Sequence, residues 1–133
     1  LSFAILVFFN TEVAASKEVN IEKLLSNMEI ADNYSKRKKG LMYRDNIEKD
    51  FGMLFIWDKK EIQCMWMKNT SIPLSIAFIE EEGVILDIYN LYPFSTLSVC
   101  SSDKVKYALE VNRGWFKEKA INRGDTLISS QIK

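Results

Sequence analysis

The stretch from Gln63 to Leu74 gathers side chains suited to holding a ligand. Read as a strand, it sets Ile62, Cys64, Trp66 and Lys68 on one face and Gln63, Met65, Met67 and Asn69 on the other. It runs out in Lys68-Asn69-Thr70-Ser71, just ahead of Ile72-Pro73. Lys68 offers a charge, Asn69 a donor and an acceptor, and Thr70 a hydroxyl. Trp66 offers a flat apolar face. Such a set suits a sugar ring or a small anion, and a strand end is where a rigid sheet presents polar loop groups. The plainer reading has Asn69 and Thr70 bonding their own turn and Trp66 in the core.

Two further residues extend this set. Arg44 follows Leu41 and Met42 at the end of a predicted short helix, where a cation offsets the helix dipole by a few tenths of a kcal/mol. It also suits a clamp on a carboxylate or phosphate. Glu110 shares a strand face with Lys106, so an ion pair or buried hydrogen bond is its default. In a cleft with Lys68 and Arg44 it would instead be an acid or base. Asn112 is a candidate helix N-cap, and Asp125 after Gly124 a turn former.

Other chemistry is thinner. The chain has no His, which removes Ser-His-Asp triads, Cys-His dyads and His-ligated zinc or haem. Cys64 therefore lacks a His partner as a nucleophile. Met42, Met53, Met65 and Met67 read as core filler before copper(I) ligands. No metal and no cofactor is expected. Lys36-Arg37-Lys38-Lys39 reads as a solvated helix face, with weak contact to anionic lipid headgroups as the other reading. Glu80-Glu81-Glu82 is its acidic counterpart at a hairpin tip. A glycosidase needs two carboxylates at fixed separation, and the sequence singles out no pair.

The elements that must position these residues follow from pattern. Strands are predicted around Asn27 to Ala31, over the apolar run Gly52 to Trp57, and over Ile62 to Met67. Leu74 to Glu80 and Val84 to Leu91 flank a hairpin turn at Glu81-Glu82-Gly83. Val105 to Val111 alternates, with Val105, Tyr107, Leu109 and Val111 on one side and Lys104, Lys106, Ala108 and Glu110 on the other. Thr126 to Ile132 is a last strand. Short helices are predicted over Lys36 to Met42, capped by Asp32 or Ser35, and over Arg113 to Ala120. The expected fold class is α+β, predominantly β: a compact antiparallel sheet or barrel-like sheet with two short helices.

Among 133 residues, 18 Lys and Arg balance 18 Asp and Glu, which argues against a nucleic-acid partner. Residues 1–9 read LSFAILVFF, too short to span a bilayer but right for the apolar core of a secretory signal. A small-residue exit follows at Val13-Ala14-Ala15-Ser16. The expectation is a signal remnant over residues 1–15 and one globular domain over residues 16–133. The product would be periplasmic or secreted and bacterial, with no stable membrane span after cleavage. Cys64 and Cys100 suit an oxidising compartment, either as a tertiary disulfide or packed separately.

Five strings occur in order: GLMYR (Gly40 to Arg44), GMLFIW (Gly52 to Trp57), MWMKNTSIPLSIAFI (Met65 to Ile79), VKYALEVNRGWF (Val105 to Phe116) and Gly124-Asp125. Together they resemble the domain-of-unknown-function 192 family of small, often exported prokaryotic proteins. The resemblance runs from about Ile21 to Ile132. It implies a compact, mainly β domain and export, and no established activity, substrate or cofactor. Members usually carry Asp where this chain has Ser75.

The expected function is a non-enzymatic, exported domain binding a small ligand, carbohydrate favoured, through Arg44, Trp66, Lys68, Asn69, Thr70 and Glu110. The alternatives are a hydrolase using Glu110 with Lys68 or Arg44, and an envelope protein-interaction module with a protein partner.

Overall fold

The computed structural model describes residues 1–10 and 15–133. The chain runs β1 (Glu18–Asn20), α1 (Ile21–Leu24), β2 (Asn27–Ala31), α2 (Tyr34–Lys39), β3 (Phe51–Glu61) and β4 (Cys64–Met65). It continues through β5 (Leu74–Ile79), β6 (Ile85–Leu91), β7 (Val99–Cys100), β8 (Val105–Asn112), α3 (Trp115–Glu118) and β9 (Thr126–Ile128). The class is α+β, predominantly β. Strands β2-β3-β8-β5-β6 form the main sheet, and β1-β9 and β4-β7 form two small ribbons.

The barrel-like closure is not found among the described residues: the main sheet is open, with β2 and β6 at its edges. Closure is not needed for burial here, because a separate apolar layer covers each face. Ala77, Ile79, Leu109 and Val111 pack on one side with Ile21, Trp115, Phe116 and Leu127. Phe51, Met53, Phe55, Ile76 and Phe78 pack on the other with Leu41, Met67 and Ile72. The main sheet is antiparallel except at β2–β3, which pair in parallel. The long return through α2 is the kind of crossover that parallel neighbours require.

Local differences from the sequence reading have local causes. Neither Asp32 nor Ser35 caps α2; the Asn33 side chain does, accepting from Lys36 N at 2.9 Å. The strand expected over Ile62 to Met67 shrinks to β4, because Met67 N donates to Ser95 O and Thr70 N to Met67 O. Asn112 does not cap α3. Its amide donates to the Glu48 carbonyl at 2.8 Å, and Gly114, at φ +86°, precedes the helix. Helix α1 was not expected; the Asn20 side chain caps it by accepting from Glu22 N.

Residues 1–10 carry no regular secondary structure, and Leu1, Phe3, Phe8 and Phe9 are exposed. The exit expected at Val13-Ala14-Ala15 falls largely outside the described residues. No helix among the described residues is long and apolar enough to cross a membrane.

Asp125 ties β1 to the end of the chain. Its carboxylate accepts from Lys17 N at 3.1 Å, Lys17 Nζ at 2.8 Å and Asn122 N at 2.8 Å. Burial alone would raise this carboxyl, but the hydrogen bonds from Lys17 and Asn122 outweigh it and hold it below the usual range. Asp125→Ala leaves two backbone N–H groups without their acceptor, each worth about 1–3 kcal/mol when buried. The expected loss is about 2–3 kcal/mol in a urea melt. A loss below about 0.5 kcal/mol would show that β1 does not depend on this anchor.

Candidate ligand-binding site

The main sheet places one ionisable side chain at its centre. Glu110 stands on β8 between Met53 of β3 and Ile76 of β5 and is only 4% exposed. Both faces of β8 are covered, so the side expected to be polar is buried at Ala108 and Glu110. The expected ion pair with Lys106 does not form, and no side-chain hydrogen bond or ion pair reaches this carboxyl among the described residues. Burial pushes it up to about 8. At neutral pH it is therefore a neutral acid, with one O–H to donate and lone pairs to accept.

Its oxygens are not sealed in the core. The carboxyl opens onto a cavity of about 280 Å³. Phe55 and Trp57 of β3 wall one side, with ring centroids 6.1 Å apart and planes 20° from parallel. Strand parity aims them the same way as Met53, towards the Glu110 face. Met65, Trp66, Met67 and Thr70 form a second wall, and α2 supplies the mouth with Arg37, Lys38 and Lys39. The volume lies just under the roughly 300–1,000 Å³ of drug-sized pockets, so it suits one ring rather than a chain of them. Larger recesses exist elsewhere, but they are more open and, among the described residues, contain no comparably buried, unpartnered polar group.

The six expected residues divide. Trp66, Thr70 and Glu110 line the cavity. Lys68 does not; its Nζ lies 5.3 Å from the centroid of the Trp66 ring, so it charges that wall from outside. Asn69 bonds across to the loop after α2, donating to the Tyr43 hydroxyl at 3.0 Å. Thr70 also serves its turn, donating to Lys68 O at 3.0 Å. Arg44 lies in a separate groove, where its fork meets Glu29 at 3.1 and 2.6 Å. Helix α2 ends at Lys39, so Arg44 does not cap it. Hydrogen bonding from Arg44 is what holds the Glu29 carboxyl below its usual range.

The structure does not bring Glu110, Lys68 and Arg44 into one cleft. Glu110 is the only acid in the cavity wall among the described residues, so the second carboxylate of a glycosidase is not there. Met42, Met65 and Met67 line the cavity, while Met53 is core beside the Arg44 groove. No cluster of three or more His, Cys, Asp or Glu suited to a metal occurs among the described residues. Cys64 and Cys100 are bonded, directly opposite one another across β4–β7.

Sequence reasoning missed Trp57 and Arg37. Trp57 closes an apolar run, and only its half-exposed state distinguishes it from core. Arg37 sits inside a basic run that reads as a solvated face.

Comparison with known proteins matches this pattern to one family. The sequence model of DUF192, described as "Uncharacterized ACR", matches residues 15–129. The chain belongs to the DUF192 family. No curated protein matches it. Among solved structures, it is similar to a provisionally assigned transcription regulator from Sinorhizobium meliloti 1021. The identity is 40% and the TM-score 0.72, over 74% of this chain and 78% of that one. It is also similar to a protein of unknown function from Novosphingobium aromaticivorans, at 29% identity and TM-score 0.72, over 74% of this chain and 71% of that one.

Four of the strings that carry the DUF192 resemblance supply residues of the cavity wall, among them Leu41, Trp57, Met67 and Glu110. Ser75, where members usually carry Asp, lies on the opposite face of this DUF192 sheet. It pairs with Val111 and accepts from Gly114 N at 3.1 Å. The departure therefore bears on the turn before α3, not on the cavity.

Proposed function

We propose that this DUF192 chain is an exported, single-domain binder of a small ring-shaped polar ligand, with carbohydrate the favoured class. One observation carries the reading: a buried, unpartnered carboxylic acid opens into a cavity walled by Phe55, Trp57 and Trp66. An aromatic face stacks on the apolar face of a ring, while a neutral acid both donates to and accepts from its hydroxyls. Export is supported by the LSFAILVFF segment and by a disulfide, which persists in oxidising compartments. The transcription role assigned provisionally to the S. meliloti protein finds no support in charge here, since cations and anions balance.

A thermal-shift screen over sugars, nucleotides, amino acids and metals tests this. A ligand at about 100 times its Kd stabilises by about 2.7 kcal/mol. Sugars are expected to score, and Trp66→Ala, at a half-exposed wall position, is expected to weaken them about tenfold. Sugars that fail to shift the melt, or a shift indifferent to Trp66→Ala, would overturn the reading.

An envelope protein-interaction module is the second reading. The backbones of Tyr43, Asn69 and Phe94 all take positive φ, at 64°, 54° and 62°. Tyr43 N donates to Asn69 O, and Phe94 N to Thr70 O. Three loops are thus strapped together with Tyr43 and Phe94 exposed. Left-handed backbone in bulky residues costs of order 1–3 kcal/mol and clusters at functional surfaces.

A further inference from the structure

We infer that the cavity takes a sugar ring bearing an anionic group, with Arg37 as the anion's anchor. The inference rests on the carbohydrate reading and adds to it the charge of the ligand and the residue that reads it.

Arg37 differs from its neighbours in the basic run. One end of its guanidinium is pinned to the sheet: Nη1 donates to the Ile56 carbonyl of β3 at 2.9 Å. No carboxylate pairs with it among the described residues. It is half-buried at the cavity mouth, next to Trp57 in the wall. A fixed guanidinium with spare N–H groups matches a carboxylate or phosphate in a way a mobile lysine does not. Arg113 and Arg123 are likewise held by backbone carbonyls, but neither lines this cavity, and Arg44 is already occupied by Glu29.

The surroundings favour an anion. Lys38 and Lys39 line the same mouth, and Lys38 Nζ is steered by the Tyr34 ring, 5.9 Å from its centroid. α2 has four cations in its last turn and no acid in its first. A helix dipole accounts for cations at a C-terminus, but not for a tether from Arg37 to the neighbouring strand. Glu110, the one acid in the wall among the described residues, is neutral below about pH 8 and does not repel an anion. The ligand would then lie with its anion at Arg37, its ring on Trp66 and a hydroxyl at Glu110.

The test is calorimetric titration of the full chain with three probes: methyl glucoside, methyl glucuronide and glucose 6-phosphate. At least one charged probe is expected to bind about tenfold tighter than the neutral one. That advantage is expected to shrink as NaCl rises, in the unmodified protein. Arg37→Gln is expected to erase it, read as the ratio of charged-probe to neutral-probe affinity falling to about one. Arg37→Lys, which keeps charge without the fork, is expected to recover only part. The two charged probes separate carboxylate from phosphate, and a preference for either supports the inference. Equal affinity for all three, insensitive to salt, overturns it and leaves the carbohydrate reading standing. No binding of any probe overturns both.

Discussion

Stability falls as pH rises from about 5 to 9, and Glu110→Gln abolishes most of that fall. The carboxyl titrates near 8 in the fold against an ordinary value of 4.5. Between those two values the folded chain holds a proton that the unfolded chain has released. The folded state thus binds more protons there, and stability drops with rising pH. Below about 4.5 the contribution is complete; above about 8 it is gone. At 1.36 kcal/mol per pKa unit the full span amounts to at most roughly 5 kcal/mol, since the carboxyl oxygens face the cavity. Glu29 and Asp50 act oppositely, held low by hydrogen bonds from Arg44 and Trp115. Their contribution is present above the usual carboxylate range and lost in acid, outside this window. Tyr89 is raised by burial, so its effect falls on the alkaline side. With no His and both cysteines bonded, no other side-chain type ordinarily titrates between pH 5 and 9. Arg37, Lys38, Lys39 and Tyr34 line the cavity that Glu110 faces, and their charge would narrow the effect if they swung inward. Urea melts at five pH values, for wild type and Glu110→Gln, check this. A wild-type profile flat from pH 5 to 9 would mean that the carboxyl is solvated and the cavity floor differs from the one described.

The same residue shows where sequence reasoning stops. Periodicity located β8 and placed Glu110 on the face opposite Tyr107, Leu109 and Val111. That face is buried because loops 40–50 and 62–73 fold over it with Leu41, Met67 and Ile72. No local pattern reports a cover arriving from more than 30 residues away in sequence. Partner choice was illegible for the same reason. Arg44 is claimed by Glu29, 15 residues upstream, because β2 lies in parallel beside β3. Trp57 and Arg37 meet only once β3 and α2 pack together, and neither looks exceptional alone. Apolar runs and turn residues were legible: β2, β3, β5, β6 and β8 all fall where alternation or density of apolar side chains put them. The short helices, by contrast, depend on caps such as Asn33, chosen among near-equivalent Asp32, Asn33 and Ser35.

The disulfide gives the second large effect. Cys64–Cys100 closes a loop of sequence separation 36, for which chain entropy gives about 4 kcal/mol of stabilisation. The ribbon it crosses has only two residue pairs, supported by Ser101 N donating to Gln63 O and Met67 N to Ser95 O. This ribbon continues directly into the cavity wall at Met65, Trp66 and Met67. Replacing both cysteines by Ser is therefore expected to cost about 3–4 kcal/mol and to loosen that wall while leaving the main sheet paired. Hydrogen exchange should show residues 63–70 and 95–101 losing protection first, with β3 and β8 last to exchange. Sugar affinity should fall more steeply than global stability, because the wall opens before the sheet does. A reducing cytosol would impose the same state on the wild type, so the proposed export and an intact wall depend on one another. If the doubly substituted chain melts within about 0.5 kcal/mol of wild type, the ribbon is held by its hydrogen bonds alone. The disulfide would then no longer support export.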